Sequence, residues 1–215
     1  MLARSPDAAL VAEYEGAVVT VAVIDYGAGN LTSVKKALDY LQADAVITSD
    51  PATVAAAEKI VLPGVGHFSA TSSLEALGLR SAIENAIRRE VRFLGICVGM
   101  QWMCLNSHEA QDVNGLGVLR AECQRFPAGF KCPHVGWNSL KVREPSRLFR
   151  GVSSGSFVYF THSYRVPLTD VTTAETDYGG PFSAAVECGN SFGVQFHPEK
   201  SGETGLAILR NFLAC

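Results

Sequence analysis

The sequence predicts an α/β fold built on a doubly wound, mostly parallel open sheet with an antiparallel addition in the C-terminal half. In the first half of the chain, short apolar runs alternate with segments whose apolar residues recur at helical spacing. This alternation is typical of parallel strands covered by helices on both faces. In the second half, strand-like runs follow one another with turn residues between them, which favours antiparallel pairing.

The size and composition of the chain fit one large domain. It has 215 residues, of which 47% are hydrophobic and 18% charged, a mix that suits a compact core. We expect this domain to span residues 17–215. Residues 1–16 lack the apolar core of a signal peptide, and their acidic residues make an organelle transit peptide a poor interpretation. We therefore expect them to form an extension outside the fold.

The first strand-helix pairs can be identified from apolar spacing. Residues 18–24 (VVTVAVI) are short and β-branched, as expected for a buried strand. Residues 31–42 place apolar side chains at helical spacing, and Asn30 is in position to cap that helix. Residues 44–48 (DAVIT) predict the second strand. The pair Asp50–Pro51 then predicts a helix start, with aspartate as the cap and proline in the first turn.

The same alternation continues to the middle of the chain. Residues 59–62 (KIVL) predict a third strand, and residues 79–90 (LRSAIENAIRRE) predict a helix with one apolar face. Residues 92–96 (RFLGI) predict a fourth strand, and residues 98–106 (VGMQWMCLN) predict the helix behind it.

The second half of the chain contains a series of strand-like runs before a closing helix. Turn residues separate the runs, and no linker, repeat or low-complexity segment interrupts them. The predicted strands are LRAECQRF (119–126), WNSLKV (137–142), SFVYFTH (156–162), FSAAVEC (182–188) and FGVQF (192–196), and the predicted helix is GLAILRNFLA (205–214).

Charge, hydropathy and cysteine usage narrow the classes of function. The net charge is −3 with neutral histidines. The sequence has no basic stripe, so nucleic acid is not expected as a partner. The longest apolar run, residues 17–24, is too short to cross a membrane. The six cysteines lack both a CxxC pair and the spacing of zinc ligands. We expect reduced thiols in a cytoplasmic protein that needs no metal and no cofactor.

One cysteine lies where a nucleophile would be expected, at the end of the fourth predicted strand. Active sites of open α/β sheets form beyond the carboxyl ends of the strands. Gly95 and Gly99 flank Cys97 at the spacing of a nucleophile elbow, in which small residues relieve the crowding of a tight strand-to-helix turn. A helix N-terminus behind the thiol favours the thiolate. A buried structural cysteine with incidental glycines is the alternative.

A base and an orienting group for this thiol follow the last predicted strand. In extended backbone, residues two apart point to the same side, so His197 and Glu199 can lie next to each other. We expect Pro198 to keep this segment from coiling into a helix. An ordinary surface turn is the alternative for this tripeptide. The other histidines lack such a carboxylate and are expected to be structural or solvated; they are His67, His108, His134 and His162.

Acyl transfer also needs donors for a developing oxyanion. The backbone N–H of Val98, directly after the nucleophile, can supply one. The second can come from the Gly64–Val65–Gly66 loop, because glycines on both sides of Val65 let that peptide approach a ligand closely. A simple turn is the alternative for this loop.

In combination, these segments resemble the class I glutamine amidotransferases from about residue 19 to the C-terminus. GICVGMQ, PGVG and FHPEK carry the resemblance, and DYGAGN, PHVGWN and YFTHSY are similar to the members that serve histidine biosynthesis. The resemblance implies glutamine as the substrate and a Cys97–His197–Glu199 triad that forms a glutamyl thioester. It also implies a partner, a (β/α)8-barrel synthase subunit that receives the ammonia.

The resemblance further assigns residues to binding and to the interface. The implied glutamine-binding residues are Gly64, Val65, Gly66, Gln101, Glu109, Ser163 and Tyr164, with Glu109 placed just past the end of the 98–106 helix. The residues implied to face the partner are Asn30, Trp137, Tyr159 and Lys200. Three other interpretations stay open: an amidotransferase of another pathway, such as pyridoxal phosphate synthesis, a non-catalytic relative and a cysteine peptidase.

Overall fold

The computed structural model describes residues 20–215, so the predicted 1–16 extension and residues 17–19 lie outside the described residues. The strands are β1 (Thr20–Ile24), β2 (Asp44–Thr48), β3 (Lys59–Gly64), β4 (Arg92–Cys97), β5 (Asn106–Ser107), β6 (Ala110–Asn114), β7 (Glu122–Arg125), β8 (His134–Ser139), β9 (Lys141–Val142), β10 (Phe157–His162), β11 (Tyr164–Arg165), β12 (Thr172–Asp177), β13 (Pro181–Cys188) and β14 (Ser191–Val194). The helices are α1 (Leu31–Tyr40), α2 (Pro51–Ala56), α3 (Ser72–Ala76), α4 (Leu79–Arg88), α5 (Val98–Trp102) and α6 (Gly202–Ala214), with 3₁₀ turns at Phe68–Thr71 and Pro198–Lys200.

The central sheet has eight strands in the order β2-β1-β3-β4-β14-β13-β12-β9. The first five strands in this order pair in parallel, and the last three add antiparallel strands at one edge. The predicted fold class is therefore confirmed. The chain reverses its direction of travel across the sheet between β2 and β3, so right-handed crossovers place helices on opposite faces.

Two smaller sheets lie outside the central one. Strands β8 and β10 form an antiparallel pair, and β11, β7, β5 and β6 form a four-stranded sheet. The core of the central sheet is apolar, and its strands β1, β3 and β4 are almost entirely buried. Among the described residues, no helix combines the length and the apolar character that a membrane span requires.

The predicted helix starts are confirmed by their capping bonds. The Asn30 side chain accepts a hydrogen bond from the N–H of Ser33 at 3.4 Å. The Asp50 carboxylate accepts from the N–H groups of Ala52 and Thr53, and α2 then begins at Pro51. These side chains satisfy N–H groups that have no partner within the first helical turn.

The prediction of a helix over residues 98–106 is wrong at its C-terminal end, because α5 ends at Trp102. The next carbonyls bond to a neighbouring segment: the Cys104 carbonyl accepts from the N–H of Gly117 at 3.0 Å. The N–H of Leu105 donates to the carbonyl of Ala121, which draws the chain into β5. Glu109 therefore lies in the turn between β5 and β6 and does not follow a helix.

Strand β12 was not predicted, because its sequence TTAETD is polar. Its first five residues are nevertheless buried. The Thr172 hydroxyl bonds to the Ser183 hydroxyl at 2.7 Å, and the Glu175 carboxylate pairs with Lys141 and Arg143. These partners compensate for the loss of water around the Thr172 and Glu175 side chains, which lets this polar strand be buried in the sheet. The predicted strand 137–142 is also divided, since β8 and β9 belong to different sheets.

Candidate active site

Cys97 lies at the junction of β4 and α5 in a backbone conformation that is rare for a residue with a side chain. Its φ is +54° and its ψ is −107°. A Cβ added to Gly95 would lie 2.4 Å from the Gly99 carbonyl oxygen, and one added to Gly99 would lie 1.9 Å from the Leu62 carbonyl oxygen. The turn thus requires glycine at both flanks, as the elbow pattern predicts.

The Cys97 thiol is buried and touches two polar groups. Its Sγ lies 3.8 Å from the carbonyl oxygen of Thr161 on β10, and the Gln195 side-chain nitrogen lies 3.6 Å from Sγ. The Tyr26 hydroxyl lies near the same turn, since a Cβ on Gly64 would approach it to 2.6 Å. Burial, followed by the charge on Cys97, raises the pKa of Tyr26 well above its ordinary value, so the hydroxyl stays protonated.

His197 and Glu199 form a buried pair beyond the end of β14. The His197 Nδ1 and Glu199 Oε1 atoms are 2.9 Å apart, and a carboxylate only accepts, so Nδ1 carries the proton. The backbone N–H of His197 donates to the Tyr159 carbonyl at 2.9 Å, which anchors the ring against β10. The prediction that Pro198 keeps this segment from coiling into a helix is wrong. Pro198 is the first residue of a 3₁₀ turn, a position where the N–H that proline lacks is not needed.

The electrostatics of the pair favour a protonated imidazole. Burial lowers the pKa of His197, but the interactions with Cys97 and Glu199 outweigh burial and raise the pKa to about 10. Among the described residues, His197 Nε2 has no hydrogen-bond partner, so it is free to serve a substrate atom. A neighbouring imidazolium stabilises negative charge on sulfur. The roles of nucleophile, acid–base group and orienting group stay predictions for Cys97, His197 and Glu199.

Replacing Glu199 with glutamine is expected to lower the pKa of His197 from about 10 toward its ordinary value, because a negative charge beside the ring is lost. The imidazolium persists only below its pKa, so the basic limb of kcat/KM for glutamine should move to lower pH. The measurement is the pH profile of glutaminase activity together with an NMR titration of His197. The exposed Glu203→Gln variant is the control, and a basic limb that stays at its wild-type position in Glu199→Gln would contradict the pairing.

A cavity of about 180 Å³ opens in front of the elbow. Its size suits an amino acid better than a large ligand. Gly64 and Val65 are not among its lining residues, although Gly64 pairs with Cys97 in the register of β3 and β4. The lining residues are Gly66, Cys97, Val98, Gln101, Glu109, Pro133, Thr161, His162, Ser163 and Tyr164.

Two of the predicted binding side chains are held by backbone groups. Gln101 Nε2 donates to the Tyr164 carbonyl at 2.9 Å. Glu109 Oε2 accepts from the N–H of Phe68 at 2.8 Å, which fixes the carboxylate at the cavity wall. A fixed carboxylate suits the α-ammonium group of an amino acid. The substrate-binding roles stay predictions.

Four residues near the thiol were not predicted as site residues. Thr161 contacts the thiol through its carbonyl and His162 lines the cavity, and the sequence does not specify that their strand, β10, lies beside Cys97. Tyr26 lies in the DYGAGN segment, but nothing local distinguishes it. Gln195 could have been predicted from the sequence, because it precedes His197 by two residues in an extended segment and so points to the same side as His197.

Three of the four predicted interface residues form one cluster. The rings of Trp137 and Tyr159 are 6.1 Å apart across the β8–β10 pair, and the Lys200 ammonium lies 5.9 Å from the Tyr159 ring. Asn30 caps α1, and α1 packs against the 3₁₀ turn that carries Lys200. Their role in an interface stays a prediction.

Comparison with known proteins shows the family to which the chain belongs. The family model "Glutamine amidotransferase class-I" matches residues 22–215. "Imidazole glycerol phosphate synthase subunit HisH" of Moorella thermoacetica is 48% identical over 195 residues, 89% of this chain and 93% of that protein. The protein of the same name from Methanothermobacter thermautotrophicus is also 48% identical, over 90% of this chain and 97% of that one. A solved structure described as a glutamine amidotransferase has a TM-score of 0.73 at 20% identity, over 90% and 97% of the two chains, and supports the fold.

The fold, the cysteine elbow and the family match together identify a class I glutamine amidotransferase. At 48% identity over most of its length, the chain belongs within that class to the HisH subunits of imidazole glycerol phosphate synthase.

Proposed function

We propose that this chain hydrolyses glutamine to glutamate and ammonia and passes the ammonia to a synthase subunit in histidine biosynthesis. The observation that carries the proposal is the Cys97 elbow, whose thiol opens on a small cavity and has a buried His197–Glu199 pair close by. The similarity to HisH proteins supports this pathway over pyridoxal phosphate synthesis. A peptidase or a non-catalytic relative fits the family match less well.

The chemistry is a two-step acyl transfer. The Cys97 thiolate attacks the side-chain amide carbon of glutamine, forming a C–S bond and a tetrahedral oxyanion. The N–H groups of Val98 and Val65 stabilise that oxyanion, and the His197 imidazolium gives its proton to the departing nitrogen, so the C–N bond breaks and ammonia leaves. Water, deprotonated by neutral His197, then attacks the thioester, releasing glutamate and restoring the thiol.

We further propose that the synthase subunit is a (β/α)8 barrel and that the two chains form a heterodimer. Ammonia would react there with a ribulosyl-formimino aminoimidazole carboxamide ribonucleotide to give imidazole glycerol phosphate and aminoimidazole carboxamide ribotide. The relatives are named as subunits, which supports a second chain. All six cysteines are free, which supports the cytoplasm as the compartment.

The outer face of the β8–β10 pair is the surface that best fits this partner. It exposes apolar side chains, with Trp137 at 55% and Phe157 at 58% of their areas open, and Val135 exposed beside them. Thr161, on the same strand as Phe157, contributes the carbonyl that touches Cys97. A partner docked here would therefore lie close to the point where ammonia is released.

The proposed function is tested by measuring glutamate release by this chain alone, with the barrel subunit, and with the barrel subunit and its nucleotide. We expect glutaminase activity that rises with the partner and yields glutamate and imidazole glycerol phosphate in equal amounts. A complex that makes product from added ammonium but never from glutamine would contradict the proposal.

Replacing Val65 with proline should lower the glutaminase rate of the complex by roughly 10²–10³-fold, because the N–H proposed for the oxyanion is removed. The Val65→Ala variant keeps that N–H and is the matched control, with an expected change of only a few-fold. Steady-state kinetics on both variants check the assignment. If alanine and proline lowered kcat equally, the side chain and not the amide of Val65 would be responsible.

Replacing Trp137 with alanine is expected to weaken binding of the barrel subunit by roughly 30-fold or more, as for aromatic residues at interface centres. Leu77→Ala, which removes an exposed apolar side chain at the end of α3, is the control and should bind normally. Titration calorimetry measures both affinities. Equal affinity of Trp137→Ala and the wild-type chain for the barrel subunit would show that the interface lies elsewhere.

A further inference from the structure

The side chain of Gln195 is completely buried next to the nucleophile. It has 0% exposure, and its Nε2 lies 3.6 Å from Cys97 Sγ. Burying an amide is costly unless its groups are hydrogen-bonded, and an apolar side chain would fill this place without that cost. The amide is therefore expected to serve an atom nearby, and the thiol is the polar group that its nitrogen faces.

The orientation of the Gln195 amide follows from a backbone carbonyl that can only accept. Gln101 Nε2 donates to the Tyr164 carbonyl at 2.9 Å, which fixes which end of the Gln101 amide is nitrogen. The same Nε2 lies 3.2 Å from Gln195 Oε1, so its second N–H donates there. The opposite end of the Gln195 amide, its NH₂ group, must then face Cys97 Sγ.

The Tyr164 carbonyl that accepts from Gln101 is also held by a pair of buried histidines, His162 and His134. His162 Nδ1 lies 2.8 Å from the same Tyr164 carbonyl and must donate to it. Burial lowers the pKa of His162 to about 3 and that of His134 to about 4, so both rings are neutral. His162 Nε2 therefore accepts from His134 Nδ1 at 3.1 Å. The Tyr164 carbonyl is therefore held in place by two donors, Gln101 Nε2 and His162 Nδ1.

The two side-chain and backbone groups in hydrogen-bonding contact with the Cys97 sulfur, Gln195 and Thr161, favour opposite protonation states. The Thr161 carbonyl can only accept, so it stabilises the thiol and opposes the thiolate. The Gln195 N–H can only donate, so it stabilises the thiolate. Because the attacking species is the thiolate, the Gln195 contact acts in the direction that catalysis requires.

We propose that Gln195 is a further residue of the catalytic centre, whose side-chain N–H orients the Cys97 sulfur and stabilises its thiolate. Gln101 is the positioning residue that keeps this N–H aimed at the sulfur. The significance of the contact for turnover rests on the proposed glutaminase function, but its effect on the thiol does not. Hydrogen bonds to charged groups are worth enough to change a protonation equilibrium about tenfold.

The test is the pH dependence of iodoacetamide alkylation at Cys97, followed by peptide mapping, in the full chain without glutamine or partner. The variants are Gln195→Glu, which keeps the shape but replaces the donor with a carboxylate, and Gln195→Met, which keeps the length. Exposed Gln124→Met is the control. The other titratable groups near the thiol or its cavity are unchanged in all variants; they are His197, Glu199, Tyr26, Glu109, His162 and Tyr164.

We expect the alkylation rate of Cys97 at neutral pH to fall about tenfold in Gln195→Met and further in Gln195→Glu, with the pH midpoint moving upward. Gln101→Met should produce a smaller shift in the same direction, and it decides the question if the Gln195 variants do not fold. Wild-type pH profiles in the folded variants would overturn the proposal and leave Gln195 as a packing residue. A shifted profile in a chain whose wild type releases no glutamate with any partner would instead refute the proposed function alone.

Discussion

Replacing Cys97 with alanine is expected to lower glutamine hydrolysis by roughly 10⁴–10⁶-fold, the range seen when members of nucleophilic triads are removed. The loss follows because no other group on the cavity wall can form the thioester. The small change in buried volume should leave folding and partner binding nearly intact. Synthesis from added ammonium by the complex should survive, because ammonia enters after the step that needs Cys97.

The control for this prediction is Cys188→Ala, which removes a half-buried thiol on β13 away from the cavity. It should retain wild-type glutaminase activity. Glutamate release is measured for both variants in the presence of the barrel subunit. More than a few per cent of wild-type activity in Cys97→Ala would mean that another nucleophile acts on glutamine.

Replacing Gly99 with alanine is expected to destabilise the chain by about 3 kcal/mol or more and to abolish activity, because the new methyl group cannot be accommodated. Its Cβ would lie 1.9 Å from the Leu62 carbonyl oxygen, a backbone atom of β3 that cannot move without disrupting the sheet. Relief would require α5 to move away from β3, which would displace Cys97 from the cavity. Urea unfolding followed by circular dichroism measures the loss.

Gly189→Ala separates this steric effect from the general cost of adding a side chain at a glycine. Gly189 has a φ of +57°, but nothing lies within 4 Å of an added Cβ. Its replacement should cost only about 1–2 kcal/mol, the strain of a left-handed conformation. If both variants were destabilised equally, close packing of the elbow against β3 would not explain the glycine at position 99.

The parts of the fold that could be predicted from the sequence are those with local signals. The short apolar run of β2 is followed by Asp50, whose side chain caps α2, so both elements can be located from nearby residues. The elbow is also local, because Gly95, Cys97 and Gly99 are close in sequence and their crowding arises within one turn. For the same reason, His197 and Glu199 could be paired before the fold was known.

The parts that could not be predicted depend on contacts between distant segments. The sequence of β12 is polar, and its burial depends on distant partners. Its side chains pair with Ser183, Lys141 and Arg143. The position of Glu109 depends on two backbone bonds after Trp102, from the Gly117 N–H to the Cys104 carbonyl and from the Leu105 N–H to the Ala121 carbonyl. Thr161 meets Cys97 only because β10 passes over the carboxyl end of β4.

Competitive labelling of all six thiols with the glutamine-like electrophile diazo-oxo-norleucine tests most directly whether Cys97 is the glutaminase nucleophile. Peptide mapping at short times should find Cys97 modified far faster than the other five cysteines, and glutamine should slow this reaction. Labelling of Cys97 and loss of glutaminase activity should proceed in parallel. Modification of another cysteine first, or labelling of Cys97 that glutamine does not slow, would contradict it.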